Sequence, residues 1–335
     1  MAPSLTRSLR ALAARALSPP EGSHYRGRDP FFEGWYARVT DPASGESFSF
    51  LYGQANPGAA DATSTAWLMA LSGRDHRRLY QPVPSAEVFA APGHLDLRMG
   101  PGIFGPDRVA GRVEAGDEAC TWDLRVRGEQ RWAGGVVESP MSYALAVPGV
   151  ETSWHPLWIH ARVSGVVHWP GRTVRFEDAP GYTEKVWGRV FPRDWFWLQC
   201  NAFDRPDAAL CASGGSVPLP GVGVRAAVIG YHDGARLHRF GTHTGARVRV
   251  SFDFGAWRLD ARTPRTRLEV EAACAPDRLV PLESPTPTGI ARVAHESLAG
   301  EMHVRLHRRP HPLAPWTLDH AAHSALAGVE IGRRP

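Results

Sequence analysis

The chain has 335 residues, enough at about 150 residues per domain for two ordinary domains or one large all-β unit, and 43% apolar against 21% charged residues excludes a disordered or fibrous protein. The longest unbroken apolar run, Ala66 to Leu71, falls far short of the roughly 18 residues that a membrane-spanning helix needs. Thirty-eight basic against 34 acidic residues leave a net charge of +4, and no block of five or six like charges offers a nucleic-acid-binding arm, so DNA and RNA are not expected partners.

Met1 to Leu17 carries Arg7, Arg10 and Arg15 with no acid, and Leu5, Leu9, Leu12 and Leu17 fall roughly on one helical side. It reads as a short amphipathic helix, either docked on the protein or in peripheral contact with an anionic lipid surface. Beyond it, 34 Gly and 29 Pro break the chain into many short elements. Val83 to Leu97, Arg108 to Glu114 and Cys120 to Val126 alternate apolar with polar residues, as strands do, and so do Ala246 to Phe254, Ala256 to Ala261, Thr266 to Ala272 and Glu301 to Leu306. An all-β meander is the simplest reading. A weak internal echo, Trp35 to Pro42 against Trp197 to Pro206, consists of aromatic-led strands ending in an Asp/Pro turn, and predicts two copies of one β-barrel unit, the second starting near residue 180.

Cys120, Cys200, Cys211 and Cys274 form no C-x-x-C pair, which points to reduced thiols rather than a zinc site or a disulfide framework. His303, His307 and His311 have helical spacing, but Met302, Val304 and Leu306 alternate among them and Pro310 follows, so they read as exposed strand and turn residues. No H-E-x-x-H, Gly-rich phosphate loop or G-x-S-x-G is present, and no cofactor or metal is expected.

Chemistry is expected where aromatic and ionisable groups crowd together, at Phe31 to Tyr36 and at Tyr182 to Asn201. On a strand, Trp195, Trp197, Gln199 and Asn201 share one face while Phe196, Leu198 and Cys200 take the other. The first face suits the wall of a barrel cavity, or else a Trp-rich core in which Gln199 and Asn201 are satisfied by backbone groups. Glu33 and Glu184 each sit among aromatics, where burial keeps a carboxyl protonated and able to donate its proton, unless each is ion-paired with an arginine or with Lys185, the only lysine in the chain.

At these stretches the chain resembles the tocopherol cyclases and their bacterial relatives. The resemblance rests on FFEGWYARV (31–39) and FEDAPGYTEKVWGRVFPRDWFWLQCNAF (176–203), with weaker segments HESLAGEM (295–302) and ALAGVEIG (325–332). It implies two lipocalin-like antiparallel β-barrels or sandwiches in tandem, divided here as an N-terminal helix or tail over 1–23, a first barrel over 24–178 and a second over 179–335. It also implies cofactor-free closure of a chromanol ring on a prenylated phenol. In that chemistry a proton added to the prenyl double bond makes a tertiary cation, which the phenol oxygen captures. The candidate catalytic residues are then Glu184, Glu33, Lys185 and Asp194. Trp35, Tyr36, Trp187, Trp195 and Trp197 are the candidate aromatic wall, and Tyr182, Gln199 and Asn201 are candidates to orient the phenol. Two departures stand out: Val186 occupies the place of an Asn in the family's Glu-Lys-Asn-Trp-Gly, and the Gly-rich, Trp-containing tail is missing. Only about 23 residues precede the motif region, short for a plastid transit peptide, so a bacterial cytoplasmic protein is expected. A hydratase acting on a polyene, or a non-catalytic carrier of a hydrophobic ligand, fits the same motifs.

Overall fold

The computed structural model describes residues 20–132, 139–141, 144, 150–219, 222–286 and 289–334, and the expected N-terminal helix lies outside them. Eleven strands form a first antiparallel sheet: β1 (Phe32–Asp41), β2 (Glu46–Ala55), β3 (Thr65–Ser72), β4 (Arg77–Val83), β5 (Val88–Ala90), β6 (Leu97–Met99), β7 (Gly102–Phe104), β8 (Arg108–Ala115), β9 (Glu118–Gln130), β10 (Thr152–Trp169) and β11 (Arg172–Gly188). Ten more form a second: β12 (Asp194–Cys200), β13 (Ala208–Leu219), β14 (Val222–Asp233), β15 (Leu237–Gly241), β16 (Arg247–Asp253), β17 (Ala256–Arg262), β18 (Thr266–Ala273), β19 (Val280–Thr286), β20 (Gly289–Arg308) and β21 (Thr317–Arg333). Each sheet curls into a nearly closed barrel. The two repeat one plan, in which the first strand lies between the second and the last: β1 pairs with β2 and β11, and β12 pairs with β13 and β21. The echo between the segments at Trp35 and Trp197 falls on the two first strands but one residue out of register: by strand pairing Tyr36, not Trp35, corresponds to Trp197, so Trp35 enters its barrel while Trp197 faces the seam.

The changeover between the sheets comes at 189–193. The division expected after residue 178 therefore falls inside β11, all of whose paired residues lie on β1 or β10 of the first sheet. The alternation from Val83 to Leu97 is not one strand: Pro84 caps a 3-10 turn at Ser85–Glu87, the short β5 follows, and a Pro92-Gly93 turn leads on to β6. The later runs fall within β16, β17, β18 and β20. His303 and His311 are exposed, and His307 is half-buried against Glu269 at 2.8 Å. All four cysteines are buried and free. Among the described residues no helix is long and apolar enough to cross a membrane.

Both barrel interiors are filled. Trp35, Phe48, Phe50, Tyr52, Phe104 and Trp122 pack the first, with Phe50 stacked on Trp122 at 4.5 Å between centroids and the Trp122 indole N–H donating to the Tyr52 hydroxyl at 2.9 Å. Phe196, Ile229, Tyr231, Phe240, Trp257 and Val304 fill the second. Strand alternation then sends every second side chain of β1, β11, β12 and β21 out of its barrel toward the other sheet, where two further apolar clusters form. Arg38 fastens this seam. From β1 it donates to the carbonyl and side-chain oxygens of Gln199 at 3.1 and 2.7 Å, to the Leu298 carbonyl at 3.1 Å and to the Leu326 carbonyl at 2.6 Å.

Candidate active site between the two sheets

A cavity of about 900 Å³ opens in this seam, walled by Tyr36 and Glu184 from the first sheet and by Trp195, Trp197, Glu296 and Glu330 from the second. The expected cavity inside a barrel is thus replaced by one between barrels, because aromatic side chains already occupy both interiors. Along β12 the predicted alternation holds: Phe196, Leu198 and Cys200 enter the barrel core, while Trp195 and Trp197 face the seam.

Three buried carboxyls meet this apolar space. Glu184 is held by Oε2, which accepts from the Tyr182 hydroxyl at 2.6 Å, the Trp154 indole at 2.6 Å and the Trp197 indole at 2.8 Å. Its Oε1 has no partner among the described residues. Burial raises the pKa of Glu184, the three donors pull it partly back, and it comes to about 7. Glu296 accepts from the Tyr36 hydroxyl at 2.5 Å, and burial with the neighbouring Glu330 charge pushes its pKa up to about 8. Glu330 accepts from the Trp195 indole at 2.6 Å and is pushed up to about 7, by burial first and by the Glu184 charge as well, against that hydrogen bond. The clasps are reciprocal: Tyr36 of the first sheet holds Glu296 of the second, and Trp197 of the second holds Glu184 of the first.

Glu33 is not a neutral acid. It faces the interior of the first barrel, 2.8 Å from Lys185 Nζ with neither side chain exposed, and it also accepts from the His24 backbone N–H at 2.8 Å and the Ser23 hydroxyl at 3.0 Å. Burial alone raises its pKa, but the Lys185 charge and the hydrogen bonds prevail and hold it down at about 2. Lys185 also donates to the Gly22 carbonyl and lies 5.1 and 5.3 Å from the ring centroids of Trp35 and Trp187, and Trp187 stacks on His24 at 3.8 Å. Glu33, Lys185, Trp35 and Trp187 thus form a cluster that seats residues 22–24 in the first barrel, on the opposite face of β1 and β11 from Tyr36 and Glu184.

Gln199 and Asn201 face the seam but are already engaged, Gln199 by Arg38 and Asn201 by the Gly181 carbonyl. Asp194 accepts from the Ser216 backbone N–H at 3.0 Å and lies 3.5 Å from Arg225, a strand-end role. Of the twelve residues singled out in the sequence, Tyr36, Glu184, Trp195 and Trp197 line the cavity, Glu33 and Trp35 border it although they are packed in the first barrel, and Tyr182 supports Glu184. Trp154, Glu296 and Glu330 were not singled out, although the two acids stand within HESLAGEM and ALAGVEIG. A signal was present: Gly328 and Gly332 flank Glu330 on one strand face, and a Cβ at Gly328 would come 2.8 Å from the Trp197 ring, so this face is bare where two indoles cross it. Two groups with metal-ligand spacing, Glu301/His303/His323 and Glu129/His160/Asp207, lie outside the cavity, and in the second Arg162 is bound to both acids.

The sequence profile of the tocopherol cyclase-like family matches residues 29–101 and 105–333. Over 96% of its length the chain is 27% identical to a probable chloroplastic tocopherol cyclase of Oryza sativa subsp. japonica, covering 80% of that protein. It is 26% identical, over 95% of its length, to the chloroplastic tocopherol cyclase of Zea mays, covering 78% of it. Among solved structures, a putative AttH of Nitrosomonas europaea superposes with a TM-score of 0.51 at 15% identity, over 93% of this chain and 94% of that one. Kievitone hydratase of Nectria haematococca does so with a TM-score of 0.51 at 14% identity, over 95% and 96%. At these identities the two structures establish the fold, a tandem lipocalin-like pair of barrels.

Proposed function

The chain belongs to the tocopherol cyclase-like family, and from that premise we propose that it closes a chromanol-type ring on a prenylated hydroquinone or phenol by proton-initiated cyclisation. The observation that carries this reading is Glu184, a carboxyl with a pKa of about 7 in the wall of an apolar, aromatic cavity. Near neutral pH such a group is substantially protonated, yet its anion is stabilised in advance by three donors on Oε2. Oε1, which has no partner among the described residues, is the oxygen from which a proton leaves toward the prenyl double bond. The resulting tertiary cation meets the faces of Trp197 and Tyr36, which pack edge-on at 5.2 Å, in a wall whose exposed area is mostly apolar. A volume of about 900 Å³ lies at the upper end of small-molecule sites and suits an aromatic head with a long prenyl tail. Val186, which takes the place of the family's Asn, packs with the apolar residues of the seam and adds no polar contact to the substrate.

The test is mass-resolved turnover of prenylated hydroquinones of graded chain length by the wild type and by Glu184→Gln. The expected product has unchanged mass and fewer free hydroxyls, and the variant forms it at least about 10²-fold more slowly. A product heavier by one water would replace the cyclase with a hydratase. Binding without any turnover, equal in wild type and variant, would replace it with a carrier.

A further inference from the structure

The repeat places two acids in corresponding positions. In the first sheet Glu184, on the last strand, pairs across with Tyr36 on the first strand, and in the second sheet Glu330, on the last strand, pairs across with Trp197 on the first. Glu330 also has Glu296 as its cross-strand neighbour on β20. Cyclisation needs a donor at the alkene carbon and an acceptor at the phenol oxygen, only a few bonds apart in the forming ring. Trp197 bridges the two positions, with its indole N–H on Glu184 and its backbone opposite Glu330.

We propose that Glu330, paired with Glu296, is the base that takes the phenol proton, so that the cavity carries its acid on one sheet and its base on the other. The assignment rests on the cyclase reading above and divides its chemistry between residues. Two adjacent carboxyls buried in apolar surroundings do not both ionise; they hold one proton between them and keep one negative charge. Tyr36 donates to Glu296 and Trp195 to Glu330, and among the described residues no donor takes the second oxygen of either carboxyl, so one of them can face the substrate. In the reaction the Glu184 O–H bond breaks as a C–H bond forms on the prenyl chain. The phenol oxygen bonds to the cation, its O–H bond breaks, and that proton passes to the Glu330 carboxylate. The substrate is isomerised, and one proton returns from Glu330 to Glu184 through solvent before the next cycle.

The experiment compares wild type, Glu330→Gln and Glu296→Gln on a hydroquinone that the wild type cyclises, with binding of its saturated-chain analogue read from tryptophan fluorescence. Glu330→Gln is expected to bind the analogue as the wild type does and to lose about 10²-fold or more in kcat. Recovered substrate should contain double-bond isomers, because the cation formed by Glu184 still has to lose a proton. The charged and titratable groups facing the pair are Glu184 from β11 and Tyr36 and Arg38 from β1, with Glu33, Glu151, Arg193, His243, Glu283 and Arg334 elsewhere on the cavity wall. Glu296→Gln keeps a neutral group beside Glu330, so the acidic limb of the rate profile, set by Glu330, and the alkaline limb, set by Glu184, both stay within about half a unit of the wild type. Wild-type kcat and pH profile in Glu330→Gln would overturn the assignment, and so would loss of analogue binding in parallel with kcat, which would make the residue structural. A wild type that cyclises no hydroquinone would instead overturn the cyclase reading, and this assignment with it.

Discussion

Glu184 holds two opposed effects in balance. Burial disfavours its charge, three N–H and O–H donors on one oxygen favour it, and the outcome near 7 is what a donor working at neutral pH requires. The acid must carry its proton, so turnover falls as pH rises through about 7. Replacing Trp154 by Phe removes a donor to the ionised form, which raises the Glu184 pKa further. The alkaline limb should then shift upward by about one unit, the size of a lost hydrogen bond to a charged group, and a pH–rate profile reads it directly. A downward shift or none would mean that this indole does not tune the acid. At this scale the sequence showed that Glu184 lies among aromatics, but Glu33 has the same local signature and the opposite state. What separates them is Lys185, which pairs with Glu33 in space and is adjacent to Glu184 only along the chain.

At the scale of the strand, alternation tells which side chains share a face, and β12 was legible for that reason. It does not tell which face of a doubly buried strand meets the second sheet. Both faces of β1 are buried, so Trp35 and Tyr36 look alike in sequence, yet Trp35 packs the first barrel core and Tyr36 packs the seam against Trp197. The acids of β20 and β21 escaped notice because their segments carry no aromatics of their own; the Tyr36 hydroxyl that holds Glu296 comes from β1 and the Trp195 indole that holds Glu330 from β12. Two outcomes follow from the pairing of these strands. Gly332→Ala places a methyl inside the Trp195 ring, so the indole must leave Glu330, and turnover should fall together with thermal stability. Arg38→Leu removes the guanidinium donor from the Gln199, Leu298 and Leu326 carbonyls, and should cost about 3–5 kcal/mol in denaturant unfolding. A cost under about 1 kcal/mol would show that Arg38 does not fasten the sheets.

Over the whole molecule, buried ionisable groups set a stability optimum on the acid side of neutrality. Glu184, Glu296 and Glu330 have folded-state pKa values raised to about 7, 8 and 7, above the ordinary 4.5, so the folded state binds more protons than the unfolded chain and stability falls as pH rises through that window. His24 and His155 are lowered by burial to about 4 and 3, so their contribution is lost as pH falls from 6.5 through those values. Glu33, held at about 2, contributes stability above 4.5 that is lost as pH falls toward 2. Thermal unfolding should therefore be nearly level between about pH 4.5 and 6.5, where the three carboxyls and the two histidines oppose each other, and decline from there toward about pH 8, and Glu296→Gln should flatten the alkaline decline. An unchanged alkaline slope in that variant would mean that Glu296 is not held neutral in the fold. The tandem architecture itself was legible from strand patterning and from a Trp-led echo that lies one residue out of register, whereas the seam between barrels, where the cavity lies, belongs to neither repeat and left no local pattern.

The most direct test of proton-initiated ring closure is turnover of a prenylated hydroquinone in D2O, with product mass measured after return to H2O. The account predicts a cyclic product carrying one carbon-bound deuterium in the former prenyl double bond, and its near-complete loss in Glu184→Gln. A cyclic product with no carbon-bound deuterium, or undiminished formation by the variant, would contradict it.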